Sequence, residues 1–149
     1  LSRGHDSASS LKAIRKLKKL PDINLCVHLM FGLPDETDAQ IRKTAEILSE
    51  QKVDGVKLHN LHVLRNTPLE KLYRESRFKP VDLEEYSRKV ALFLENLSPK
   101  IAVHRLAAVA SRWDELVAPQ WTREKMKTTQ FIDDFLAAKE TWQGRCFKV

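Results

Sequence analysis

Glycine is scarce in this sequence, with four residues in 149, and proline is little commoner at six. That scarcity excludes a long flexible linker, a collagen-like repeat and a low-complexity tract. Cysteine is rarer still. Cys26 and Cys146 stand far apart and form neither a CxxC pair nor a zinc spacing. Cys26 sits in an apolar run and is expected as a small buried hydrophobe, and the low cysteine usage fits a reducing, cytoplasmic setting. No apolar stretch approaches the roughly 20 residues that span a bilayer, so no membrane contact is predicted. The opening residues Leu1-Ser2-Arg3-Gly4-His5-Asp6 are polar and turn-like, without a signal-peptide pattern. An initiator methionine is also missing, and the expectation is a piece of a longer protein. GxSxG, P-loop, GxGxxG, HxH and HExxH patterns are all absent, as is a catalytic triad.

What remains is an ordinary globular composition, 42% hydrophobic and 31% charged, long enough for one domain with a core. The net charge of +6 and pI near 9.4 permit a nucleic-acid partner without requiring one. The one basic cluster, Arg15-Lys16-Leu17-Lys18-Lys19, reads as the solvated face of a helix rather than as a nucleic-acid contact.

Helical and strand-like segments alternate along the chain. Leu11, Ile14 and Leu17 repeat at helical spacing after the capping residue Asp6, predicting a helix to about Leu20. Ile23 to Phe31 is nearly continuous apolar sequence, as in a parallel strand covered on both faces. Thr37 and Gln40 form a capping box that opens a second helix to about Gln51, with Ile41, Ala45 and Leu48 inward. A second strand is predicted from Gly55 to Leu64. Thr67-Pro68-Leu69-Glu70 then starts a short helix. Asp82 caps a longer one whose stripe is Leu83, Tyr86, Val90, Phe93, Leu94 and Leu97. A third strand runs from Lys100 to Leu106, and the rest reads as helical, clearest from Arg123 to Ala138.

This succession predicts an α/β fold with parallel strands and helices outside. Three strands make a poor sheet on their own, and a complete (β/α)₈ barrel needs about 250 residues. The chain therefore reads as the C-terminal part of a partial (β/α) TIM-like barrel over residues 1–108, with a helical extension over 109–149 packed on it. The bare edges are expected either to dimerise or to be covered by the C-terminal helices.

Ligands of such sheets sit at the C-terminal ends of the strands. Gly32 ends the first strand, where a missing Cβ permits close approach of a ligand or simply makes the turn. His28 and Met30 share one face with it. Four of the five histidines, His28, His59, His62 and His104, fall in strands, where an imidazole must find partners. Their spacing suits polar contacts to substrate or satisfied core histidines better than a metal site. His104 and Arg105 close the third strand and suit a phosphate or carboxylate, or a salt bridge at the barrel rim. Trp113, Trp121 and Trp142 read as core or docking residues.

Several runs together carry a resemblance over nearly the whole chain: Ser2-Arg3-Gly4-His5-Asp6, the stretch from His28 through Gly32-Leu33-Pro34-Asp35-Glu36-Thr37, the stretch Gly55–Leu64 with Thr67-Pro68-Leu69, and Val103-His104-Arg105-Leu106. In this order they resemble a bacterial family of radical S-adenosylmethionine (SAM) proteins related to the catalytic subunit of Elongator and to the oxygen-independent coproporphyrinogen oxidases. The resemblance implies a 4Fe-4S cluster held by CxxxCxxC, SAM bound to its unique iron, and a 5′-deoxyadenosyl radical that takes hydrogen from a substrate. It also implies that the chain begins just after the fourth barrel strand. Arg3 then matches the partner of the SAM carboxylate, His28 the ribose contact and Met30 an adenine contact, while His62 and Val63 match the strand along the adenine. The usual Gly-x-Ile-x-Gly-x-x-Glu pattern reads His28-x-Met30-x-Gly32-x-x-Asp35 here, and CxxxCxxC is absent, so this chain does not hold the cluster. The first expectation is thus the C-terminal portion of a radical SAM enzyme, with His59, His104 and Arg105 toward an unknown substrate. Its rivals are a basic RNA-binding or RNA-modifying module and an inactive barrel fragment.

Overall fold

The structure, a computed structural model, describes residues 6–110 and 112–148. Helix α1 (Ser7–Leu17) starts on Asp6, whose carboxylate accepts the Ser9 N–H at 2.7 Å. It is followed by strand β1 (Cys26–Phe31) and helix α2 (Asp38–Glu50), which opens on the full Thr37–Gln40 capping box. Ile41, Ala45 and Leu48 of α2 are buried, as their spacing requires. Strand β2 spans Gly55–Asn60 and strand β3 only Val63–Leu64. Helix α3 (Pro68–Arg74) begins at Thr67, and helix α4 (Leu83–Asn96) begins at Asp82. Strands β4 (Ala102–Arg105) and β5 (Leu116–Ala118) precede helix α5 (Lys125–Ala138).

Strands β1, β2 and β4 form a parallel sheet in the order β1-β2-β4. Val27, Val56 and Val103 lie side by side across it, as do Leu29 and Leu58. These residues face α2 and α4 and join the core of Phe31, Ile41, Leu48, Tyr86, Val90, Phe93 and Leu97. The opposite face of the sheet is exposed or half-buried except at Gly55, which the His104 ring covers. A parallel sheet covered on one face only is unusual, and this uncovered face is the wall that a barrel turns toward its lumen.

Four expectations need correction. The predicted strand Gly55–Leu64 is two strands, broken at Leu61–His62, and β3 leaves the main sheet to pair antiparallel with β5. The region after Val109 is not uniformly helical: Leu116–Ala118 is a strand, too short to stand out in the sequence and formed because β3 offers it an edge. Helix α5 packs on α4, on the already covered side, and leaves the open face bare. Cys26 is half-buried on that open face rather than enclosed. Among the tryptophans, Trp121 packs on Tyr86 and donates to the Val81 carbonyl, whereas Trp113 and Trp142 are exposed.

Candidate functional site

Strand alternation and register put Cys26, His28 and Met30 of β1 beside Gly55, Lys57 and His59 of β2 on the open face. Between Val56 and Lys57 the β2–β4 register slips, so that Arg105 rather than His104 pairs with Lys57. A bulge re-aims side chains, and here it brings both residues to the same face. An ideal Cβ on Gly55 would stand 2.5 Å from His104 Nε2, so the imidazole lies across the glycine. Arg105 Nη2 lies 2.5 and 3.2 Å from the two ring nitrogens of His59, and the His59 ring stacks on that of His28 with centroids 5.1 Å apart. The sequence-predicted residues His28, His59, His104 and Arg105 thus meet on one surface.

His59 is held unprotonated. Burial is the main cause, followed by the positive charge of Arg105 and then by His28, His62 and Lys57, and together they push its pKa down to about 4. Because the folded value lies below the ordinary 6.5, the unfolded chain binds more protons between pH 6.5 and 4. Stability is therefore expected to fall as pH drops through that window and to gain nothing from His59 above it. Thermal melts from pH 7 to 4 on wild type and His59→Gln check this: the variant should lose part of the acid sensitivity, and identical profiles would refute it.

The C-terminal strand ends are fixed by two buried polar arrangements that the sequence reading missed. At β1, the chain turns at Gly32 with φ +83°, and a Cβ there would meet Val81 Cγ2 at 2.9 Å. Both facts require glycine for the turn and its packing. The Gly32 N–H donates to Glu36 Oε2 at 2.9 Å, and the same oxygen lies 3.4 Å from Lys89 Nζ. Glu36, not Asp35, holds the turn; Asp35 sits in it at φ 60°. A cavity of about 420 Å³ opens beside it, lined by Leu29, Met30, Phe31, Pro34 and Ile41 among others.

At β2, the side chain of Asn60 is buried. Its Oδ1 accepts the Ala108 N–H at 3.0 Å, and its Nδ2 lies 2.8 Å from His62 Nε2. Burial pushes the His62 pKa down, partly opposed by a hydrogen bond to the Ala108 backbone. His62 is therefore an acceptor toward Asn60, and the pair ties the end of β2 to the loop after β4. Val63 is fully buried in β3. Asn60 was visible in the sequence as a lone amide ending an apolar strand, and Glu36 as a carboxylate behind the Gly-Leu-Pro turn; neither sequence position says what it bonds to. Arg3 lies outside the described residues. Among the described residues no group of three or more His, Cys, Asp or Glu side chains is placed to hold a metal, so a 4Fe-4S cluster does not fit them.

Comparison with known proteins agrees with this architecture. Residues 53–138 match the family model described as Radical_SAM C-terminal domain. The uncharacterized protein MJ0486 of Methanocaldococcus jannaschii is 33% identical over 147 residues, covering 99% of this chain and 45% of that protein. Protein YhcC of Escherichia coli is 31% identical over 136 residues, with 91% and 43% covered. The uncharacterized protein YtqA of Bacillus subtilis is 28% identical over 148 residues. The chain spans less than half the length of these relatives. Its fold is similar to that of Methanocaldococcus infernus Elp3 with an N-terminal deletion, with a TM-score of 0.76 and 20% identity over 95% of this chain and 33% of the other.

Proposed function

Because this chain belongs to the radical SAM C-terminal domain family, we propose that it forms one wall of the SAM pocket and substrate chamber of a longer radical SAM enzyme, with residues 1–108 as barrel wall and 109–149 as extension. In this family the cofactors of the full-length protein are SAM and a 4Fe-4S cluster, and the cluster ligands lie outside this chain. Together they supply reductive cleavage of SAM, which makes a radical that takes hydrogen from the substrate. This chain's residues bind and orient. His28 takes the ribose, Met30 and Val63 flank the adenine with His62, Arg3 holds the methionine carboxylate, and the Gly32 turn shapes the rim. His59, His104 and Arg105 face the substrate.

The observation that supports this reading is the uncovered polar face, which continues without a break to the C-terminal ends of β1 and β2. The His59 ring stacks on that of His28, so a residue assigned to the substrate adjoins one assigned to the ribose. A free-standing domain has no reason to leave such a face bare.

Equilibrium SAM titration of the cluster-loaded full-length protein tests it. An Arg–carboxylate bond contributes roughly 1.5–3 kcal/mol, so Arg3→Ala is expected to weaken SAM by about one to two orders of magnitude. His28→Ala removes one neutral hydrogen bond, worth about 1 kcal/mol, or about fivefold. Cluster content should not change in either variant. Equal affinity in all three proteins would remove both residues from the site. The 149-residue chain alone is expected to show no cluster absorbance after anaerobic iron and sulfide reconstitution, since Cys26 and Cys146 lack cluster spacing; a stoichiometric cluster would contradict the division of labour.

A further inference from the structure

The open face is one-sided in charge. Its β2 and β4 residues include Lys57, His59, His104 and Arg105, with His28 beside them on β1, and no Asp or Glu occupies any of its register positions. Elsewhere the chain pairs its partly buried cations: Lys18 with Asp54, Arg88 with Asp38 and Glu85, and Lys89 with Glu36. Lys57 and Arg105 have no carboxylate partner among the described residues. Arg105 keeps a buried Nε with no hydrogen-bond partner. Its one side-chain hydrogen-bond partner among the described residues is the neutral His59 ring, which carries no counter-charge. A half-buried guanidinium left this way is incomplete, because its fork of donors matches an oxyanion in geometry as well as charge.

Depth along the strands separates this place from the adenine position at Met30, while His28, assigned to the ribose, lies beside Lys57 at the same depth. Met30 and His59 are register partners near the strand ends, whereas Lys57 and Arg105 pair two residues deeper. The two cations are joined by register, and the bulge at Val56–Lys57 adds His104 to the same face over Gly55. From this arrangement we infer that the substrate carries an oxyanion, a phosphate ester or a carboxylate, that is held by Lys57 and Arg105 with His104 as a further donor. The inference rests on the chamber reading above for what enters the space, but not on SAM binding. It also gives the bulge a reason: without it only one of His104 and Arg105 would face the chamber.

Histidine ring NMR of this chain tests it, with inorganic phosphate as probe, sodium acetate in a second titration, and sodium chloride at matched ionic strength as control. Saturable shifts of His28, His59 and His104 with phosphate or acetate, but not with chloride, are expected. The stronger of the two probes tells phosphate ester from carboxylate. Arg105→Gln and Lys57→Gln should each weaken the response tenfold or more, while Lys43→Gln, on the exposed outer side of α2, should leave it unchanged. Shifts that match those of chloride, or that survive both substitutions, overturn the proposal. The titration is then repeated on the full-length protein. Retained or tighter phosphate binding supports the site; lost binding means that a carboxylate from the rest of the barrel fills it, and overturns it. If SAM abolishes the phosphate response, Arg105 belongs to the methionine carboxylate and the substrate assignment fails. If SAM does not bind and the phosphate response persists, the SAM reading fails and the oxyanion site stands.

Discussion

Glu36→Ala is expected to destabilise the chain by about 3–5 kcal/mol, the range found when one partner of a buried ion pair is removed. The Glu36 and Lys89 side chains are only 9% and 7% exposed, with Glu36 Oε2 3.4 Å from Lys89 Nζ. Without the carboxylate, Lys89 keeps only Glu85 at 3.8 Å, and the Gly32 N–H loses its acceptor. The double replacement Glu36→Gln with Lys89→Met separates the two effects. Glutamine retains an acceptor for Gly32, and methionine fills the lysine stem's space without a charge. Replacing both partners of such a pair is often neutral or stabilising, so this variant should recover most of the loss. Urea unfolding at constant m-value provides the measurement. A loss below about 1 kcal/mol for Glu36→Ala would mean that Lys89 finds water or another partner, and that the turn is held by packing on Val81 alone.

The Glu36–Lys89 pair matters beyond stability because of what it fixes. It joins the loop after β1 to the middle of α4, and Gly32 lies at the end of the strand that carries His28 and Met30. A looser turn would blur the rim of the chamber while leaving the core of α2 and α4 packed. Glu36→Gln, which keeps the Gly32 acceptor, should therefore disturb the rim less than Glu36→Ala.

Much of this was legible from residue order. Capping positions Asp6, Thr37, Thr67 and Asp82 were readable because a side-chain acceptor three residues ahead of a free N–H is a local arrangement. The inward stripes of α2 and α4 were readable because helical periodicity is local too. The face shared by His28 and Met30 followed from strand alternation. What stayed hidden depends on partners distant in sequence. The bulge that turns both His104 and Arg105 to one side arises from pairing with β2. Strand β5 exists only against β3, and His62 left the predicted strand because Asn60 and Ala108 hold it. Lys57 was not singled out in the sequence, because only the register sets it beside Arg105. The histidine cluster was noticed as a composition but not as a geometry, since spacing along one chain says nothing of a ring stacked across two strands.

Asn60 offers the sharpest check on that geometry. Asn60→Leu keeps the branched shape and deletes both hydrogen bonds, leaving the buried Ala108 N–H unpaired and His62 with only its bond to the Ala108 backbone. An unsatisfied buried group costs about 1–3 kcal/mol, so a loss of about 1–3 kcal/mol from the Ala108 N–H is expected before any gain from the added apolar surface. Asn60→Asp is more informative. It keeps an acceptor for Ala108 but sets a carboxylate where His62 now receives a donor, so His62 can donate to it and keep its bond to the Ala108 backbone only by taking up a proton. Its pKa, lowered by burial in the wild type, is then expected to rise above the ordinary value. A folded pKa raised above the unfolded one gives stability that is complete below the unfolded value and lost as pH climbs through the folded one. The Asp variant should therefore melt closest to wild type at pH 5.5 and fall behind at pH 8, with the His62 ring resonances reporting the upward shift directly. Equal deficits at both pH values, with His62 still titrating low, would show that the Asn60–His62 contact does not set the protonation of His62.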